Sequence, residues 1–302
     1  MSDIIPISQT VSLGPFEVGR LGYGCWRFAG TPVESAREKI AAAQEWPGKL
    51  LLDTAPIYGF GETGFGEAEE RLGDLFAADK GLRDEVVLVT KAGIEPPAPY
   101  DSRKERLIQS AEASLRRLKT DVLDVFLIHR PDLLVSHEEV AEALTTLRDA
   151  GKVREVGVSN FTTAQTRALA AKLPFPMAAT QPEFSALATD EMENGTLDLA
   201  QELNLRPMAW SPLAGGMLAT GQGDHPALSR VLKVIDDIAE ELGSPRDAVA
   251  LAFVLAHPSE PLALVGSQTP ARIAASAAAL ETGLTRRQWY RIYEAKRGAP
   301  MP

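Results

Sequence analysis

No disulfide can form within this chain, because Cys25 is its only cysteine in 302 residues. The same scarcity excludes CxxC redox pairs and cysteine-rich zinc sites. Histidine is nearly as rare, with four in all. No HExxH motif and no His/carboxylate cluster at ligand spacing occurs, so no metal is expected. GxSxG is absent too, which removes the usual setting of a nucleophilic serine. No run of about 18 apolar residues exists, so no transmembrane helix is expected. The opening MSDIIPISQT has neither a basic start nor an apolar core, so it does not read as a signal peptide. On that reading the sequons Asn160-Phe161-Thr162 and Asn194-Gly195-Thr196 are chance matches. Positive charge is also short, with 31 basic residues against 41 acidic and a net charge of −10. That balance argues against broad binding to nucleic acid or membrane surfaces. The expectation is a cytoplasmic protein with a small-molecule partner.

What is present is enough apolar content, 45%, for one large core over residues 1–302. Along the chain a rhythm recurs: a short apolar run, a loop with Gly or Pro, then an amphipathic segment. The runs cover 21–25, 49–53, 86–91, 122–129, 153–159, 177–181, 207–211 and 262–266. Several are apolar throughout, as in parallel strands buried on both faces. Helical patterns cover 31–45, 67–78, 104–118, 136–150, 162–173, 197–203, 228–242 with 245–256, and 270–280. Ser136 and Thr162 stand as N-caps, and Gly151 and Gly243 as helix stops. Eight strand–helix units predict an α/β protein whose parallel sheet closes as a (β/α)₈ TIM barrel. Two pieces fall outside the count. Residues 5–20 read as an N-terminal β-hairpin around Leu13-Gly14-Pro15, capping the barrel's lower end. Residues 285–296 read as an extra C-terminal helix.

Polar residues collect where the strands end. Asp53, Lys91 and His129 close three consecutive strands. Ser159 with Asn160, Gln181, Trp210 with Ser211, and Gly266 with Ser267 close the next four. Barrel active sites are built at that face. Taken singly, Asp53 reads as well as a helix cap, Lys91 as a solvated strand end, His129 as a satisfied core residue and Tyr58 as a loop aromatic. His137, His225 and His257 read as surface residues. Together, the first four have a joint chemical use. A phenol of pKa about 10 needs help to give up its proton near neutral pH. An ammonium about 4 Å away stabilises the phenolate by roughly 4 kcal/mol at an effective dielectric near 20, before desolvation is subtracted. A carboxylate holds that ammonium, and a neutral imidazole orients a carbonyl. The reaction these parts serve is hydride transfer.

Gly59-Phe60-Gly61-Glu62-Thr63-Gly64 matches GxGxxG between a strand and a helix. A dinucleotide fingerprint, however, begins at the strand end and is followed by an acidic residue ending the next strand. Here Asp53 lies well upstream and the next strand ends in Thr90-Lys91. The segment reads as an active-site loop.

These pieces resemble the aldo-keto reductases over nearly the full length, in the bacterial short-loop branch. The matches are Asp53-Thr54-Ala55 with Tyr58; Val89-Thr90-Lys91; Leu127-Ile128-His129-Arg130-Pro131-Asp132; Gly151-Lys152-Val153-Arg154 leading to Gly157-Val158-Ser159-Asn160-Phe161; Gln181; and Trp210-Ser211-Pro212-Leu213. The resemblance implies NADP(H)-dependent reduction of aldehyde or ketone carbonyls. Tyr58 would be the general acid, Lys91 and Asp53 its supporting pair, and His129 the carbonyl-orienting group. Ser159, Asn160 and Gln181 would bind the nicotinamide carboxamide, and Trp210 would stack on its ring. Ser211, Pro212, Leu213 and Gly215 would meet the pyrophosphate, and Gly24, Cys25 and Trp26 the first loop's share of cofactor and substrate. Gly266, Ser267, Gln268, Arg272 and Ser276 would line the adenosine end. The family often has a basic residue beside the Gly-Ser pair, then Arg, Glu and Asn. Here Gln268, Ala275 and Ser276 depart from that pattern, which leaves NAD(H) open beside NADP(H). Substrate would enter over Trp26, Tyr58, Phe60, His129 and Arg130. An NAD-linked sugar or alcohol dehydrogenase and a cofactor-binding regulatory barrel are the alternative readings.

Overall fold

The computed structural model describes residues 3–302. It opens with an antiparallel hairpin, β1 (Thr10–Leu13) and β2 (Phe16–Gly19). Eight parallel strands follow: β3 (Leu21–Gly24), β4 (Leu50–Asp53), β5 (Val86–Ala92), β6 (Leu123–Ile128), β7 (Val153–Ser159), β8 (Ala179–Gln181), β9 (Arg206–Ala209) and β10 (Leu262–Val265). They close in the order β10-β3-β4-β5-β6-β7-β8-β9, and helices alternate with them. The fold is the (β/α)₈ barrel that the periodicity predicts.

Side chains alternate across a strand with period two, and that parity builds both cores. Leu51, Val87, Val89, Val125, Leu127, Ala179, Met208, Leu262 and Leu264 point inward and form one cluster inside the barrel. Their neighbours Leu50, Leu52, Val86, Leu88, Phe126 and Ile128 point outward and pack in the cluster shared with the helices. Val11, Leu13 and Val18 of the hairpin complete the interior cluster. The hairpin enters at the strand starts, where Gly19 N–H donates to Lys49 O at 3.0 Å. It therefore plugs the lower end. Where β7 meets β8 the wall is tight: a Cβ on Gly157 would lie 2.3 Å from Ala179 O.

The helix ends follow local chemistry. Ser136 Oγ accepts from Glu139 N–H and caps helix His137–Asp149. Thr162 with Gln165, and Thr285 with Gln288, form reciprocal capping boxes. The second of these starts the extra C-terminal helix, Arg286–Arg297. Segment 270–280 departs from expectation. It forms two short helices, Pro270–Ala275 and Ala278–Glu281. Ser276 Oγ donates back to Arg272 O at 3.0 Å, the side-chain competition that bends or ends helices. Short helices at Leu82–Glu85, Asp190–Glu193 and Met217–Thr220 were not legible either, being single turns. His257 is half-buried rather than fully exposed. Its ring meets Phe184 edge-on at 5.8 Å, and burial lowers its pKa to about 4.

Candidate active site

The inward parity that places Leu51, Val89, Leu127 and Ala179 in the core carries on to the strand ends. Two residues further along lie Asp53, Lys91, His129 and Gln181, and Ser159 follows Gly157 in the same way. Thus one layer of polar side chains closes the top of an apolar barrel. Lys91 is fully buried. Its Nζ donates to Asp53 Oδ2 at 2.8 Å, to Thr54 O at 2.9 Å and to Tyr58 Oη at 2.9 Å. All three ammonium donors are used. Gln181 Nε2 donates to Asp53 Oδ1 at 2.8 Å, so both carboxylate oxygens are held.

Tyr58 reaches this cluster from the turn after β4, where its N–H donates to Ala55 O at 3.1 Å. Its ring is bracketed by Trp26 at 5.1 Å and, edge-on, by His129 at 6.1 Å. The turn depends on Gly59. Its φ is +100°, and a Cβ there would sit 2.6 Å from Ala29 Cβ. Its carbonyl accepts from the N–H groups of Glu62, Thr63 and Gly64. The GxGxxG amides therefore turn onto their own loop, which is no cradle for phosphate.

Burial decides the protonation states. It pushes the Tyr58 phenol well above its ordinary value, and the Asp53 charge adds to the rise. The net effect in this structure is thus opposite to the lowering expected from Lys91 alone, because desolvation is the largest influence and the Asp53 charge adds to it. Burial likewise lowers Lys91, with Asp53 opposing. Burial, Lys91 and Arg130 together put His129 well below its ordinary value, so its imidazole is neutral. The cluster holds a protonated phenol whose oxygen already touches an ammonium, beside a neutral imidazole.

Asn160 follows β7 in a left-handed conformation (φ +57°). Its Nδ2 donates to Ser159 Oγ at 2.7 Å, and its Oδ1 accepts from Trp210 Nε1 at 3.0 Å. That bond fixes the indole at the rim. Beyond it, Ser211, Ala214, Gly215 and Gly216 all have positive φ, and Cβ atoms on the two glycines would meet nothing within 4 Å. Left-handed residues within a turn can aim backbone N–H groups to one side, as in the concavities that receive anions, and the space over Gly215 and Gly216 is open. Pro212 is buried behind it, with Leu213 half-buried. Gly24 lies at the top of β3, Trp26 is 66% exposed and Phe60 is 53% exposed, while Arg130 is half-buried.

Some residues are not brought to the cleft. Cys25 is wholly buried and its N–H is taken by Asp53 O. Ser276 is buried with its hydroxyl turned into its own helix. Gly266, Ser267, Gln268 and Arg272 do lie together after β10, with Arg272 exposed. Three residues escaped the sequence reading. Glu69 is wholly buried behind Lys91, accepting from Thr90 Oγ1 at 2.6 Å and from Arg117 at 2.7 Å. Glu183 pairs with Trp210 in a parallel bridge and has its pKa raised by burial against the pull of Arg130. Its signal was parity, since it stands two residues after Gln181. Lys39, on helix Val33–Gln44, donates to Gln268 Oε1 at 2.8 Å.

The profile of the Aldo/keto reductase family matches residues 20–297. The 6-dehydroglucose reductase of Novosphingobium aromaticivorans is 44% identical over 308 aligned positions, spanning all of both chains. Oxidoreductase YdhF of Escherichia coli is 38% identical over 97% of this chain and 99% of its own. In backbone, the glycerol dehydrogenase of Gluconobacter oxydans superposes with a TM-score of 0.83 at 24% identity, covering 99% of this chain and 97% of that one. That last likeness concerns the fold.

Proposed function

The chain belongs to the aldo/keto reductase family, and on that premise we propose that it reduces the carbonyl of a small aldehyde or ketone with NADP(H), using Tyr58 as proton donor. One observation carries the reading: the Tyr58 hydroxyl lies 2.9 Å from the buried Lys91 ammonium, which Asp53 holds at 2.8 Å. When bound, the nicotinamide supplies hydride to the carbonyl carbon. The negative charge that then develops on the carbonyl oxygen takes the Tyr58 proton. The charge passes to the phenolate, where the Lys91 ammonium already stands. Because the ammonium is in place beforehand, no solvent need reorganise as charge moves. Neutral His129 donates a hydrogen bond that orients the carbonyl. Asp53 keeps Lys91 charged, and Gln181 keeps Asp53 in place.

Ser159, Asn160 and Trp210 are proposed to seat the nicotinamide, and the loop from Ser211 to Gly216, with its four positive-φ residues, the pyrophosphate. For the substrate we favour a polyhydroxylated aldehyde. Trp26 offers a flat exposed face, and Arg130 and Glu183 supply charged groups able to bind hydroxyls. The relatives named 6-dehydroglucose reductase, at 44% and 38% identity, support that class. The test is oxidation of NADPH followed in absorbance with 6-dehydroglucose, simple aldehydes and ketones. Turnover with aldehydes, highest for the hydroxylated ones, is expected. No turnover with any carbonyl would refute the reading.

A further inference from the structure

Two lysines are buried among the described residues, Lys91 and Lys39. Lys91 has Asp53 beside it. Lys39 has no counterpart: it is 8% exposed and takes part in no ion pair among the described residues. An ammonium carries three donors. One goes to Gln268 Oε1 at 2.8 Å, and Nζ stands 5.8 Å from the Phe28 ring centroid. Both partners are uncharged, and a buried charge without an anion is costly. Burial lowers the Lys39 pKa accordingly, with only Glu38 opposing.

The position of this cation matters. Gln268 belongs to the loop after β10, and that loop is pinned. Tyr23 Oη donates to Ser267 O at 3.0 Å, and Gln268 Nε2 donates to Gly266 O at 3.2 Å and Ser267 O at 3.3 Å. With its amide nitrogen turned to the loop's own carbonyls, Gln268 presents its oxygen to Lys39. Helix Val33–Gln44 packs against helix Pro270–Ala275, and Trp46 Nε1 fastens the chain after the first to Ile273 O at 2.9 Å. Arg272 projects from the second helix with no ion pair among the described residues. The loop 266–272 is therefore flanked by two cations lacking carboxylate partners, on neighbouring helices.

We propose that Lys39 is a specificity residue for the cofactor: it binds the 2′-phosphate of NADPH, with Gln268 as the neutral group that holds the ammonium until the phosphate arrives. The inference rests on the assignment of loop 266–272 to the adenosine end. A 2′-phosphate carries about −1.5 to −2 charges near neutral pH, and hydrogen bonds between charged partners are roughly twice as strong as neutral ones. NADH, with a hydroxyl there, gives the ammonium no compensating charge. A lysine from the first barrel helix would thus stand in for the basic residue that the Gly266-Ser267-Gln268 loop lacks.

Calorimetric titration of the whole protein with NADPH, NADH, 2′,5′-ADP and 5′-ADP tests this without turnover. The wild type should bind 2′,5′-ADP more tightly than 5′-ADP. Lys39→Met should weaken NADPH and 2′,5′-ADP by about tenfold or more and NADH and 5′-ADP by less than about twofold. Lys39→Arg should restore most of the loss. Gln268→Glu, which neutralises the ammonium and repels phosphate, should reproduce Lys39→Met. Thermal melting checks folding, and Lys39→Met should melt no lower than the wild type, since an unpaired buried charge is removed. Equal losses for NADPH and NADH, or none, would overturn the role of Lys39 while a wild-type preference for NADPH stands. A wild type that binds 2′,5′-ADP no better than 5′-ADP would overturn both this role and the NADP(H) assignment.

Discussion

Lys91 shows how one side chain can be costly to bury and still be required. Its ammonium is balanced by one carboxylate, so removing that carboxylate strands it. Asp53→Asn should destabilise the protein by about 3–5 kcal/mol in denaturant unfolding and should lower turnover sharply; near-wild-type stability would show that the pair is not needed to keep Lys91 buried. The protonation states fix the sign of the pH response. The Tyr58 phenol is pushed up, so its proton is present through neutral pH. Reduction should then hold its rate across neutrality and fall only on the alkaline side, whereas oxidation, which needs the phenolate, should rise with pH. Burial, with Lys91 and Arg130 beside it, holds His129 well below the ordinary imidazole value of about 6.5, so kcat/KM should show no inflection near there. A clear inflection at that pH would contradict a neutral His129. Of the four proposed catalytic residues, Asp53, Lys91 and His129 were legible because strand ends of a barrel converge, and Tyr58 because it stands in the turn after one of them. Lys39 was not, because a lysine in the middle of an amphipathic helix reads as solvated until its burial is seen.

At the scale of elements, period-two alternation does most of the positioning. Counting by twos from Leu51, Val89, Leu127 and Ala179 reaches Asp53, Lys91, His129 and Gln181, so the site was readable once the strands were. Strand close approach was not readable, because it depends on which backbones meet. Gly157→Ala illustrates this. The added Cβ would stand 2.3 Å from Ala179 O and 2.8 Å from Leu127 Cδ2. Forcing β7 from β8 should cost about 1–3 kcal/mol and should weaken cofactor binding by moving Ser159, a proposed nicotinamide contact. An unchanged melting temperature would refute that account of the wall. The break in segment 270–280 was hidden for a related reason: Ala-rich sequence favours helix, and one serine's bond to Arg272 O interrupts it.

The whole molecule separates stability from chemistry along the barrel axis. Polar groups crowd the upper end, and the lower end is sealed by apolar hairpin residues. Leu13 is wholly buried there, among the interior strand residues. Leu13→Ala should cost about 2–5 kcal/mol yet leave kcat and KM unchanged well below the melting temperature; altered kinetics would show that the two ends are coupled. The eightfold rhythm and the last helix were visible in the sequence because each is a long periodic signal, and the hairpin because Gly14-Pro15 marks its turn. The balance of desolvation against charge around Tyr58 was not, because it depends on how completely the barrel excludes water. The central proposal is that this balance keeps the phenol protonated as the proton donor. Its most direct test compares wild type and Tyr58→Phe in NADPH-dependent aldehyde reduction, with cofactor affinity measured alongside. The account predicts a loss of about 10²–10⁴ in kcat with cofactor affinity preserved; undiminished turnover in Tyr58→Phe would contradict it.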